Sequence, residues 1–235
     1  MARSSYCGNC RMMTSLQQMR LLQLSSASLP VGSFTYSQGL EWAVEAGWVT
    51  SVGQFREWQI NSIEQSLILQ DLPLLLRLYH ASRRGDLNAF ESWSQYLLAC
   101  RETLELRNEE TQRGEAMVRI LQGIEMILPE AWYNALLRSQ IAGLAWAGSV
   151  WKIPAEPLML SQAWSNLESM VMAGVKLVPF GQTAAQQLLF KLSEYIASRL
   201  PAVMKVGDEE LGSSLPIVAI SSALHETQHT RLFRS

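Results

Sequence analysis

The chain has 235 residues and a formal net charge of −2, with 19 Lys and Arg against 21 Asp and Glu spread along it. That balance leaves no basic face for nucleic acid, and with no internal repeat or charge run the length suits one domain with a substantial core. The longest nearly uncharged stretches, residues 141–151 and 169–175, fall short of the ~20 residues that span a bilayer, and no continuous apolar signal joins Arg3, Arg11 and Arg20, so a cytoplasmic protein without membrane contact is expected.

Cys7-Gly-Asn-Cys10 comes first, a single CxxC with no second pair at metal-ligand spacing. With Cys100 the cysteine count is odd, which argues against a disulfide framework, and Cys100 reads as a small core residue. Residues 1–15 read as a disordered leader, with Met12, Met13 and Met19 as further possible starts, and residues 16–235 as one domain.

The elements that follow are helical. Ser51 with Gln54 forms a capping box ahead of Val52, Phe55, Ile60, Ile63 and Leu67, which share an arc of about 140° at the helical step. Arg84-Gly85-Asp86 reads as a helix stop and start, so two antiparallel helices should meet there, the second lining one face with Phe90, Trp93, Leu97 and Cys100. Ala184, Ala185, Leu188, Leu189, Leu192, Tyr195 and Ile196 mark another buried face, with Gln186, Gln187, Lys191 and Glu194 outside it. Pro129, Pro154, Pro157, Pro179 and Pro201 punctuate helix starts or breaks, and no stretch alternates as a strand would. The fold class is all-α, a single-domain bundle of roughly ten mostly antiparallel helices.

The most charged stretch runs from Arg101 to Glu110 and on to Arg113, Glu115 and Arg119. As a helix it pairs Glu109 with Arg113 and Glu115 with Arg119 at i,i+4, each worth ~0.3–0.5 kcal/mol. The favoured reading is a solvated face, and a partner-binding surface is the sharper alternative.

His225-Glu226-Thr227-Gln228-His229 matches HExxH. On a helix its histidines would stand one turn apart to share a zinc, with Glu226 as general base, which defines a zinc-dependent hydrolase over residues 225–229 as the alternative function. A third ligand would have to come from upstream, where the only other histidine is His80. The chain has no phosphate loop, dinucleotide turn or nucleophile elbow, so any nucleotide arrives on another chain.

Four segments carry a shared signature: Leu29-Pro-Val-Gly-Ser-Phe-Thr-Tyr-Ser-Gln-Gly-Leu-Glu-Trp-Ala-Val-Glu-Ala-Gly47, the Arg101–Glu110 block, Val171-Met-Ala-Gly-Val-Lys-Leu-Val-Pro-Phe-Gly-Gln182, and His225-Glu-Thr-Gln through Arg231-Leu-Phe-Arg-Ser235. Together, over Leu16 to the last residue, they resemble the UreF family of urease accessory proteins, enterobacterial members most of all. The resemblance implies an all-α homodimer that joins UreD and the GTPase UreG to deliver nickel to apo-urease. It implies no catalytic residue and no cofactor of its own, with GTP held by UreG and nickel handled by the complex. The residues before Leu16, and His229, match nothing in the family pattern.

The partner-binding candidates fall in these segments: Phe34, Tyr36, Gln38, Glu41 and Glu45; Arg101, Glu102 and Glu105; Lys176, Pro179 and Gln182; His225, Glu226, Arg231, Leu232, Phe233 and Arg234. Pro30 and Gly32 hold Phe34 and Tyr36 on a loop, where they serve either an interface or the core. Lys176, between Val175 and Leu177 in a stretch suited to burial, either pairs with an internal carboxylate or meets a partner. The tail Arg231–Ser235 is expected to be poorly ordered alone and to dock onto UreD through Leu232 and Phe233.

Overall fold

A computed structural model describes residues 12–212 and 215–235, so Cys7, Cys10 and most of the expected leader lie outside the described residues. Helix starts follow side chains that accept amide hydrogen bonds. Thr14 caps α1 (Ser15–Ser25) in a reciprocal box with Gln17. Ser51 caps α3 (Val52–Ser62), but the Gln54 carboxamide accepts from the Thr50 N–H, one residue earlier than the standard box. Asp86 caps α5 (Leu87–Ala99), Thr103 caps α6 (Leu104–Gly123) and Ser139 caps α8 (Gln140–Val150). The remaining α-helices are α2 (Leu40–Glu45), α4 (Leu72–Arg84), α7 (Tyr133–Leu137), α9 (Ala155–Leu177), α10 (Gln182–Val203) and α11 (Pro216–His225). Short 3₁₀ turns lie at Ser33–Thr35, Glu130–Trp132 and Asp208–Glu210, and the described residues contain no strand.

A π-helical stretch, Ile63–Asp71, fuses α3 and α4 into one rod. Pro73 lies just beyond it. A proline ring inside an α-helix clashes with the carbonyl four residues back, here that of Leu69, and the wider π turn carries the chain past that obstacle. The expected apolar face forms only in part. Phe55, Ile63 and Leu67 are buried, but Val52 is 41% exposed in the first turn, and Trp58 and Gln59 are buried in its place. Gly85, with φ of 69°, closes α4 in the left-handed region, and α5 folds back onto α4 as the Gly-Asp pair predicts. The α10 face is as expected, with Ala185, Leu188, Leu189, Leu192 and Ile196 buried. Pro201 does not break α10; it sits in the last turn, two residues from the end.

The centre of the bundle is α8, buried along Gln140–Ser149 and packed on α4, α6, α7 and α9. A helix apolar on every side must be surrounded, and its glycines set how closely. A Cβ on Gly143 would meet Met117 at 2.6 Å, and one on Gly148 would meet Leu158 at 2.5 Å. Among the described residues no helix is long and apolar enough to cross a membrane.

Candidate functional site

Three of the matched segments, 29–47, 101–110 and 225–235, converge on one polar seam, formed where α2, the amino-terminal turns of α6, α11 and the tail meet, and the segment 171–182 touches it through Lys176 over the Phe233 ring. The seam starts from backbone geometry. Gln38 and Gly39 are consecutive left-handed residues, with φ of 52° and 79°. Gly39 is forced twice, because a Cβ there would also lie 2.8 Å from Ser221 Cβ on α11. Gln38 bears that conformation because its side chain donates to Glu109 at 3.1 Å and its N–H donates to the Ser235 carbonyl at 3.1 Å.

Glu41, 8% exposed on α2, accepts the N–H of Leu232 at 2.6 Å and of Phe233 at 2.8 Å. These charge-assisted bonds clamp two successive tail amides. The Arg234 N–H donates to the Thr35 carbonyl at 2.7 Å, and the Ser37 hydroxyl donates to the Ser235 carbonyl at 2.7 Å. Ser235 Oγ reaches Glu109 at 3.0 Å. The expectation of a loose tail awaiting a partner is therefore corrected. Phe233 is 4% exposed inside its own domain, whereas Leu232, at 64%, projects outward with Arg231 and Arg234. An extended segment flanked by acceptors on two helices and a loop satisfies its amides in cis.

His225 is fully buried between Glu105, 2.9 Å from Nδ1, and Glu41, 3.2 Å from Nε2. Arg231 donates to Glu105 at 2.8 Å, and the Glu226 carboxylate accepts the Glu105 N–H at 3.2 Å. The zinc-hydrolase alternative loses its geometry here. Helix α11 ends at His225, so His229 lies in an exposed turn beyond it and not one helical turn away on the same face. Among the described residues no cluster of three or more His, Cys, Asp or Glu is arranged to hold a metal.

Below this lies a second buried cluster. Arg101 Nη2 lies 2.7 Å from Glu110 and 2.9 Å from Asp71, the last residue of the π stretch. Burial alone would depress the Arg101 pKa, but the Asp71 and Glu110 charges more than reverse this and keep it charged. Burial pushes Glu110 up, yet Arg101 and Arg113, with hydrogen bonds from Ser139 and Arg101, outweigh it and hold its carboxyl below the ordinary value. Asp71 is pushed up by burial, which the Arg101 charge only partly offsets. A cavity of about 60 Å³ runs beside the pair, lined by Gln38, Ser66, Gln70, Asp71, Arg101 and Glu109 among others. Cys100 is half-buried on its wall, so it is not the core residue expected.

These contacts overturn the solvated-face reading of the Arg101–Arg119 stretch. Glu105, Glu109 and Glu110 are all buried. The Glu109–Arg113 pair forms at 2.9 Å but inside the protein, with the Glu109 side chain 4% exposed, whereas Glu115–Arg119 is an open surface pair at 3.7 Å. Glu102 is exposed at the cavity mouth. Lys176 is exposed, contrary to the burial its neighbours suggest, and rests its ammonium 5.2 Å from the centre of the Phe233 ring with no carboxylate in ion-pair range among the described residues. The loop aromatics divide between the two roles. Tyr36 is buried and donates to Gln112 at 2.9 Å, while Phe34 is 43% exposed. Pro179 and Gln182 are exposed after α9, away from the seam, and exposed Glu45 joins it through a 2.5 Å hydrogen bond from Gln228.

Sequence reasoning missed Asp71 and Ser139, while the Glu109–Arg113 pair it expected does form. Asp71 was findable, because a lone carboxylate between Leu69 and Leu72-Pro-Leu-Leu-Leu76 needs a partner if that run is buried. Ser139, which caps α8 and donates to Glu110 at 2.7 Å, had no local sign beyond its cap position.

The protein this defines is all-helical, with a matched signature used partly to close its own fold and partly to leave Phe34, Lys176 and Leu232 on the surface above it. Comparison with known sequences says which family that is. The UreF family model matches residues 49–193. The urease accessory protein UreF of Enterobacter sp. (strain 638) is 55% identical over 219 residues, 93% of this chain and 98% of that protein. The UreF proteins of Klebsiella pneumoniae (strain 342) and Pseudomonas entomophila (strain L48) are 50% and 54% identical over 224 residues, 95% of this chain and 100% of each. The chain belongs to the UreF family.

Proposed function

We propose that this chain is a urease assembly factor that works by binding: as a cytoplasmic homodimer it joins UreD and the GTPase UreG and so supports nickel delivery to apo-urease. Relatives at 50–55% identity over nearly the whole chain carry the urease accessory name, which supports the maturation role. The observation that carries the binding reading is the convergence of three matched segments, 29–47, 101–110 and 225–235, on one seam whose polar groups hold one another. Buried Glu41, Glu105 and His225 are engaged by each other and by the tail, which suits a fixed platform. Nickel is cargo in this scheme, and GTP belongs to UreG.

The partner-facing groups are those the seam leaves outward, Phe34, Lys176 and Leu232, with Glu102, Pro179 and Gln182 as further exposed candidates. The test is co-expression with UreD and UreG, size-exclusion chromatography, and urease activation with nickel loading. Co-elution of the three, weakened by Phe34→Ala with Leu232→Ala at unchanged helicity, is the expected result. A chain that elutes alone beside folded partners refutes the proposal.

A further inference from the structure

Helix α11 is sorted backwards. Its buried residues are Ser221, Ser222 and His225, while Ile217, Ile220 and Leu224 are 39%, 51% and 40% exposed. At 100° per residue those three share an arc of about 60° and run for about 10 Å along the axis. A terminal helix that faces its polar side inward is explained on that side by the seam, since Ser222 bonds Thr103 at 2.7 Å and His225 meets two carboxylates. Nothing among the described residues explains the apolar stripe turned to water.

The stripe ends in a cleft of about 360 Å³ between α11 and α2, where Leu224, Trp42 and Ala46 give an apolar wall and Glu45, Gln228 and His229 a polar one. Trp48 packs edge-on against Trp42 at 4.7 Å and fixes its ring. Glu45 makes no ion pair among the described residues, and its one hydrogen bond is from the Gln228 amide nitrogen. The other end of that amide, Gln228 Oε1, is buried without a partner. A fixed indole beside an exposed carboxylate that makes no ion pair among the described residues calls for a planar, multi-donor cation. Guanidinium meets this better than ammonium, because it lies flat on an aromatic face while donating in a fork.

We propose that this face docks an amphipathic helix of another protein, which lays apolar residues on Ile217, Ile220 and Leu224 and places an arginine against Trp42 and Glu45. The inference rests on the assembly-factor reading and assigns that reading a second interface, separate from the Phe34–Leu232 surface. A second copy on the stripe is the competing occupant, and the oligomeric state of the chain alone distinguishes it.

The test uses the full chain with UreD and UreG, and two substitutions at exposed positions, Ile220→Asp and Glu45→Lys. Both variants should keep wild-type helicity and melting, and the oligomeric state of the chain alone should be unchanged by light scattering. Titrated against the purified partners, each should lose at least about tenfold in affinity for the same one of them, the size expected for one interfacial charge pair or apolar anchor. Glu45→Gln should fall between wild type and Glu45→Lys, and the loss in Ile220→Asp should be insensitive to salt. Undiminished affinity for both partners in both variants overturns the proposal, as does a change in oligomeric state, which would seat a second copy on the stripe. A wild-type chain that binds neither partner instead refutes the assembly-factor reading itself.

Discussion

Glu41→Ala tests whether the tail is held in cis by its amides. The substitution removes two charge-assisted bonds to the tail, at 2.6 and 2.8 Å, each worth about 1.5–3 kcal/mol, together with the 3.2 Å contact to His225 Nε2. Burial of the Phe233 side chain adds ~1.5–3 kcal/mol, and the neutral bonds from Arg234 and Ser37 about 1 kcal/mol each. Against these stands the cost of ordering Arg231–Ser235, about 1–2 kcal/mol per residue. The terms leave a net of a few kcal/mol, so losing the Glu41 bonds tips the balance and the tail should detach without the domain unfolding. In native-state hydrogen exchange the amides of Leu232, Phe233 and Arg234 should lose protection, and trypsin should cut after Arg231. Amides on α8 should stay protected, because detachment caps the tail's share of the loss and the remainder is confined to the Glu41–His225 contact. Glu41→Gln, which keeps an acceptor, should give a partial effect. Retained protection of Leu232 and Phe233 in Glu41→Ala, or collapse of the whole domain, would refute the clamp.

Three further outcomes follow from the buried charges and tight contacts. Arg101→Met leaves Asp71 and Glu110 buried without their shared cation and should cost about 3–5 kcal/mol in urea unfolding at neutral pH; because both folded carboxyls then favour the protonated form, the deficit should shrink as pH falls toward the ordinary carboxylate range. Glu64 has its pKa lowered first by the Arg199 hydrogen bond and then by that from Tyr195, against burial. Its contribution is present above the unfolded value near 4.5 and is lost as pH falls through the lower folded value. Glu64→Gln should therefore flatten the acid side of the stability profile, by no more than about 1 kcal/mol since the Arg199 side chain is 41% exposed. Gly39→Ala combines a left-handed backbone with a 2.8 Å approach to Ser221 and should lower stability by more than the ~1–2 kcal/mol of the backbone term, read as a drop in melting temperature.

The helices were legible because their signals are local: caps at Ser51 and Asp86, the Gly85 exit, and the apolar period of α10 all act within a few residues. The four site segments were legible as a signature for a similar reason, each being contiguous. Even the lone Asp71 in its leucine run carried a readable sign. Where such signals were read as geometry beyond their own range they failed, as with Val52, which opens α3 beside a buried face made by Phe55, Trp58 and Gln59, and with HExxH, whose helix stops at its first histidine.

What the sequence alone determined is an all-helical chain of the UreF type, with its key residues confined to four segments. Only the tertiary structure decided which of those residues face inward. Local charge density marks Arg101–Glu110 as solvated, because the groups that neutralise it are remote in sequence: His225 and Arg231 lie 120 and 126 residues from Glu105, and Ser235 lies 126 from Glu109. Burying a carboxylate is costly until a donor or cation meets it, and where such groups come from is a property of the folded chain. The same holds for the tail, whose amides show no preference for Glu41 until α2 and α6 are packed side by side with α11.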